Sequence, residues 1–226
     1  MIKAVIFDMF ETLVTHFNSP LFKGKEIADE IGIPEKDFRI IWDATDEDRT
    51  LGLKTFEDVI EEILLTNGVY SLELYERIIE KRYKAISEIF KNKHSEIKDM
   101  LTFLKENGIK IGLITNCYIE EMKTIQASDI YDFFDVTCMS CDVGLKKPDY
   151  EIFRKCVSEL GLKENECLYV GDGGSGELEA ANDVGMHTVQ ATWYLRDELD
   201  QPSRKKIGFI HIESPMELIK SLSFAN

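Results

Sequence analysis

Four stretches of this 226-residue chain place reactive side chains where an apolar run ends. Asp8 follows Ala4-Val5-Ile6-Phe7, and Thr115-Asn116 follows the run Ile109 to Ile114. Lys147-Pro148 stands just before a helical pattern, and Gly171-Asp172 follows Cys167 to Val170. The residue types define a chemistry. A carboxylate can attack phosphorus or carbon. A hydroxyl and an amide can hold phosphoryl oxygens, and a lysine can neutralise them as a point charge. A second carboxylate beside the first can hold Mg²⁺, which cancels the repulsion between two acids and an incoming dianion.

For these groups to meet, the runs that precede them must be neighbouring strands ending on one rim. The pattern supports this. Short runs rich in β-branched residues, the mark of buried strands, cover Ala4–Phe7, 109–114, 133–139, 167–170, 186–190 and 208–212. Helical spacing separates them at 97–104, 119–128, 152–160 and 178–181. Asn107-Gly108 and Gly161 stand at helix ends, Asp149 is a candidate N-cap, and Ser214-Pro215 opens a last helix. Strands alternating with helices predict an α/β fold, a Rossmann-like three-layer sandwich around a parallel sheet. Ligands of such sheets bind at the carboxyl ends of the strands.

One block breaks the alternation. Between about Pro20 and His94 only helical spacing appears, as in Phe56, Val59, Ile60, Ile63 and Leu64 behind the candidate N-cap Thr55. A second such run is Tyr75, Ile78, Ile79, Tyr83, Ile86 and Phe90, and Gly32 and Pro34 break an earlier segment. The expected division is therefore a discontinuous core, residues 1–17 and 95–226, with an all-helical insertion at 18–94 after the first strand.

Bulk properties narrow the partners. Hydrophobic residues make up 44% of the chain, enough for a full core. A formal net charge of -15 argues against nucleic acid and anionic membrane as partners, and it requires any phosphate site to be locally positive. The N-terminal apolar run is too short for a signal peptide, and no stretch reaches the length of a membrane span. The five cysteines are an odd number, which fits a reduced cytoplasmic setting better than a disulfide framework.

The order and wording of the four stretches resemble the haloacid dehalogenase superfamily of hydrolases. Asp8 with Thr12-Leu13 resembles its first motif, Leu113-Ile114-Thr115-Asn116 its second, Lys147-Pro148-Asp149 its third, and Gly171-Asp172 with Glu177 its fourth. The helical insertion is similar to the family's first type of cap domain. The resemblance implies that Asp8 is a nucleophile forming an aspartyl-phosphate. It implies that Thr115, Asn116 and Lys147 bind the phosphoryl group of a small phosphorylated substrate. It assigns Mg²⁺ to Asp8, Asp172 and the backbone carbonyl of Phe10, with Glu177 in support.

One position departs from the family's phosphatases, which carry a second Asp two residues after the nucleophile as general acid and base. Here Phe10 stands there and cannot transfer a proton. The family's 2-haloacid dehalogenases have an aromatic residue at that position, but they lack the Gly-Asp metal motif that this chain keeps. A Mg²⁺-dependent phosphatase is therefore the leading expectation. Dehalogenation through Asp8, or a non-catalytic phosphate binder, are the alternatives.

Other candidates receive plainer readings. Glu11 and His16 are proton donors only in second place, being read as a solvent-facing acid and a turn residue. Arg39 and Arg49 are read as solvated charges, with a halide or carboxylate contact as the alternative. Cys138-Met139-Ser140-Cys141 lacks the further ligands of a zinc site and is read as two inert thiols. Trp42, Trp193 and Tyr194 are read as packing residues, Asp149 and Asp183 as surface or capping groups, and Arg204-Lys205-Lys206 as a solvated run.

Overall fold

The computed structural model describes residues 1–20, 22–196 and 204–223. Among these, six strands form one parallel sheet: β1 (Ala4–Phe7), β2 (Lys110–Thr115), β3 (Val136–Met139), β4 (Cys167–Gly171), β5 (His187–Ala191) and β6 (Ile210–Ile212). Their order is β3-β2-β1-β4-β5-β6. β1 is central, with Phe7 opposite Leu113 of β2 on one side and Val170 of β4 on the other.

Both sheet faces are covered, as the apolar character of every central strand requires. Val5 and Phe7 face a cluster containing α6 (Ile97–Glu106), α7 (Ile119–Gln126) and α11 (Pro215–Ser223). Ala4 and Ile6 face the opposite cluster, with α9 (Tyr150–Glu159) and α10 (Glu177–Asp183). The chain winds outward from β1 in both directions, so the strand order reverses between β1 and β4. That reversal opens the crevice in which such folds place their ligands.

Between β1 and α6 the chain forms five further helices: α1 (Gly24–Ile31), α2 (Glu35–Ala44), α3 (Asp46–Thr50), α4 (Phe56–Thr66) and α5 (Leu72–Lys91). They bury their own cluster around Phe38, Trp42, Phe56, Ile60 and Ile63, separate from both clusters on the sheet. Gly32 ends α1 in the left-handed region at φ 81°. Thr55 caps α4, its hydroxyl accepting from Asp58 N at 3.0 Å.

The insert is pinned to the sheet domain by charge. The buried Arg82 of α5 donates to Glu120 and Glu121 of α7 at 3.1 and 2.8 Å. Tyr118 donates to Asp46 at 2.5 Å, and Lys146 pairs with Glu47 at 2.9 Å. Trp193 Nε1 donates to Thr12 O at 2.8 Å, and the Tyr194 hydroxyl accepts from His94 N at 2.6 Å. Trp193 and Tyr194 thus bind the chain on either side of the helical block, at Thr12 and at His94.

Several expectations need correction. β3 starts at Val136, because 131–133 form a 3-10 turn and the Asp135 carboxylate accepts from Ile111 N at 2.8 Å. β6 starts at Ile210, since Gly208 sits at φ 93°. A short helix, α8 (Ser140–Val143), follows β3 where none was expected. Asp149 stands at the N-cap position of α9, but its side chain makes no capping bond. The run Arg204-Lys205-Lys206 is at the surface as expected, with Lys205 and Lys206 in surface pairs with Glu213 and Glu179.

Arg49 is not a solvated charge. It is fully buried, with its guanidinium 3.7 Å from the Trp42 ring centre and 4.4 Å from that of Tyr118. Two aromatic faces, the Trp42 carbonyl at 2.7 Å and Asp46 at 3.6 Å replace part of the water it loses, while Nε and Nη1 have no hydrogen-bond partner among the described residues. Arg39 is the exposed one, paired with Glu35 and Asp43.

Candidate active site

β1 and β4 run side by side, so the residues just past their ends, Asp8 and Asp172, stand together at the switch point. Asp8 N still donates to Val170 O at 2.9 Å, which fixes its position against β4. Gly171 leaves room for Glu177, because a Cβ at that position would collide with the Glu177 carboxylate. Glu177 opens α10 and turns inward. Carboxylate oxygens of Asp8, Asp172 and Glu177 all lie within 4.8 Å of one another, and all three residues are buried.

Lys147 enters this acid cluster from the loop before α9. Its ammonium donates to Asp8 Oδ1 at 2.6 Å, to Tyr169 Oη at 3.3 Å, and to Glu177 Oε2. Tyr169 in turn donates to Glu177 at 3.0 Å. Burial and the adjacent Glu177 push the Tyr169 hydroxyl well above its ordinary value, so it keeps its proton. Asn116 braces the lysine from behind: its Oδ1 accepts from Lys147 N at 2.8 Å and its Nδ2 donates to Lys147 O at 2.9 Å. Both ends of that amide are therefore engaged. Thr115 is buried at the end of β2.

The charge balance of the cluster is unequal. Three carboxylates share the cluster with one ammonium, which touches those of Asp8 and Glu177. Burial would lower the pKa of Lys147, but Asp8 and Glu177 more than reverse this and hold it above its usual value. Asp8 is instead pushed up to about 8 by burial first and then by repulsion from Glu177 and Asp172, against the pull of Lys147. A buried all-oxygen site short of positive charge is what a hard divalent cation satisfies. The donor set therefore fits Mg²⁺.

Phe10 and its surroundings were read least well. The Phe10 ring stacks on His16, with centroids 4.7 Å apart. Glu11 does not face solvent. It is buried in a left-handed backbone conformation, φ 59°, and accepts from the Thr15 hydroxyl at 2.6 Å and from His16 N at 3.0 Å. Burial raises its pKa, but the bonds from His16 and Thr15 outweigh this and hold it below the ordinary value. Glu11 is thus a fixed carboxylate that orients His16, whose Nδ1 lies 3.2 Å away. Only the tight return of the chain from Phe10 to His16 brings these groups together, and no residue spacing signals it.

A cleft lies between insert and sheet domain in two joined compartments. The smaller, about 220 Å³, sits over Asp8, Asp172, Asn116 and Lys147. The larger, about 600 Å³, is lined by Trp42, Tyr118, Arg82 and Lys146 among others. Phe10, His16, Lys23, Asn116 and Lys147 line both. The cysteine pair also differs from the one that spacing singled out. Cys138 is buried in β3, while Cys141 Sγ lies 3.8 Å from Cys117 Sγ.

A doubly wound parallel sheet with an acid–lysine centre at its switch point places the chain among the Rossmann-like α/β folds. The chain belongs to the haloacid dehalogenase-like hydrolases, whose family model matches residues 2–185. It is 25% identical over 232 residues to a glyceraldehyde 3-phosphate phosphatase of Methanocaldococcus jannaschii, covering 98% of this chain and 99% of that one. Its fold matches a 2-haloacid dehalogenase from Pseudomonas syringae with TM-score 0.68, at 20% identity and with both chains fully covered. It also matches a family enzyme from Bacteroides thetaiotaomicron in complex with magnesium and inorganic phosphate. There the TM-score is 0.64 at 20% identity, covering 84% of this chain and 94% of that one. Among the described residues no helix is long and apolar enough to cross a membrane.

Proposed function

We propose that the protein is a Mg²⁺-dependent phosphatase that hydrolyses a small phosphorylated metabolite through an aspartyl-phosphate on Asp8. The observation that carries this reading is the buried cluster of Asp8, Asp172 and Glu177 around Lys147. The phosphatase named among its full-length relatives supports it. Asp8 and Asp172, with the Phe10 carbonyl, would hold Mg²⁺, and Glu177 would support it. When bound, the ion neutralises the acid cluster and draws charge from the phosphoryl oxygens.

In the first step an Asp8 carboxylate oxygen attacks phosphorus. The ester P–O bond breaks, and the leaving alkoxide takes up a proton. In the second, water attacks the aspartyl-phosphate and releases phosphate and the free carboxylate. Lys147 and Thr115 contribute to holding the phosphoryl group. Asn116 acts chiefly by fixing the Lys147 backbone. Tyr169 and Glu177 keep the ammonium aimed at Asp8. The helical insert serves as the cap that closes the cleft and excludes water. Phe10 carries no proton, so the reading assigns the enzyme its best turnover on esters with good leaving groups.

Attack of Asp8 on carbon is the weaker reading, because dehalogenation leaves three acids around one lysine without a use. The decisive assay is hydrolysis of p-nitrophenyl phosphate against Mg²⁺ concentration, with Asp8→Asn as control. Mg²⁺-dependent turnover is expected, falling roughly 10³-fold or more in the variant. Halide release from 2-chloropropionate in EDTA, without ester hydrolysis in Mg²⁺, would replace this reading with the dehalogenase one.

A further inference from the structure

Lys23 lies just before α1, on the insert side of the cleft, and lines both compartments. The other lysines and arginines lining the cleft are committed. Lys147 is bound to Asp8 and Glu177, Lys146 to Glu47, Arg39 to Glu35 and Asp43, and Arg82 to Glu120 and Glu121. The Lys23 ammonium has no ion pair or hydrogen bond among the described residues; its backbone is bonded, the N–H donating to Glu26 and the carbonyl accepting from Ile27 N. The acids facing the larger compartment are also occupied. Asp46 accepts from Tyr118, and Glu121 accepts from Arg82 and from Tyr118 N.

A half-buried ammonium without a partner is costly. Burial pushes its pKa below the ordinary value, although Glu121 draws it back up. In a chain of net charge -15 such a cation is not surplus. What it lacks is an anion, and the cleft is where an anion can enter.

Position says which anion. The smaller compartment, over Asp8 and Lys147, is the place for the phosphoryl group, and the remainder of a substrate extends into the larger one. Lys23 stands where the two join. It therefore meets a group a few bonds beyond the phosphoryl ester. We propose that Lys23 is a specificity-determining residue that binds a second anionic group, a carboxylate or another phosphate, and so selects doubly anionic phosphoesters. This deepens the phosphatase reading and rests on it.

Two matched pairs of esters test the proposal in wild type and Lys23→Gln, with Mg²⁺. 3-Phosphoglycerate against glycerol 3-phosphate isolates a carboxylate. Fructose 1,6-bisphosphate against fructose 6-phosphate isolates a second phosphate. The wild type is expected to prefer the doubly anionic member of at least one pair. Lys23→Gln is expected to shrink that preference about 10- to 100-fold, as for loss of a hydrogen bond to a charged group, mainly through KM. Lys23→Arg is expected to restore part of it, and the responding pair identifies the anion. Equal losses on both members of each pair, or an unchanged preference, would overturn the proposal. The same ratios are measured as binding affinities by calorimetry in an Asp8→Asn background, where no turnover is needed. Failure of every ester to turn over in wild type would sink the phosphatase reading, while the calorimetric ratio would still decide the role of Lys23.

Discussion

The two walls of the cleft treat charge in opposite ways. On the sheet side, three carboxylates crowd one lysine, and each side chain is held by another: Lys147 by Asp8 and Glu177, Glu177 by Tyr169 and Gly173, and the Lys147 backbone by Asn116. On the insert side, Lys23 faces the same space with no partner for its ammonium among the described residues. The first wall is preorganised for one reaction and short of positive charge. The second offers a positive charge and leaves the partner to be supplied. On the proposed function, chemistry would lie at the rigid sheet end, where neighbouring strands fix positions, and selection in the helical insert, which could vary without disturbing the reaction.

Three changes would sharpen or break this contrast. The largest effect is expected at Phe10. If the sheet side holds everything except a proton donor, Phe10→Asp should raise turnover of alkyl phosphates by about 10²-fold or more. The gain on p-nitrophenyl phosphate should be smaller, because its leaving group needs less help. Equal rates for wild type and variant on alkyl phosphates would show that the proton already has a source near His16.

A middle-sized effect is expected where the insert touches the sheet domain. Gly52 sits at φ 74°, and a Cβ there would run into the Cys141 carbonyl of α8. Gly52→Ala should therefore cost on the order of 1–3 kcal/mol in thermal or denaturant unfolding. It should also weaken substrate binding more than it slows the chemical step, since it displaces only the selecting wall. A fall in kcat with KM unchanged would show that the two walls are not separable.

The smallest effect is a pH dependence at the contact between insert and sheet domain. Burial, opposed by Arg82 and reinforced by Glu121, pushes Glu120 from 4.5 up to about 7. Between those values the native state keeps a proton that the unfolded chain has lost, so this residue's contribution to stability falls as pH rises. Glu120→Gln should remove that slope. Its melting temperature should gain on wild type as pH rises from about 4.5 to about 7, by a few degrees. Parallel curves would mean that Glu120 is ionised in the folded protein.

Legibility in the sequence followed the range of the interactions involved. The strands, their order of appearance and the helical block between Pro20 and His94 were readable because periodicity and turn residues are local signals. The meeting of Asp8 and Asp172 was also readable, because a parallel sheet brings its strand ends to one rim, whereas Glu177 was indicated only by the family resemblance and Lys147 reaches the cluster from a loop. Arg49 was misread because its burial depends on Tyr118, which is far away in the chain and on the other domain. The close thiols, Cys117 and Cys141, are joined by packing of the loop after β2 against α8 and not by spacing. Glu11 was misread because a left-handed residue turns the chain back on itself.

The sequence by itself determined the architecture and the reactive end of the sheet, since both follow from repeating patterns and from acids set at strand ends. Only the tertiary structure decided which charges are spent and which remain available. Whether an ammonium is paired, as in Lys147, or waiting, as in Lys23, depends on which distant carboxylates the fold brings within reach.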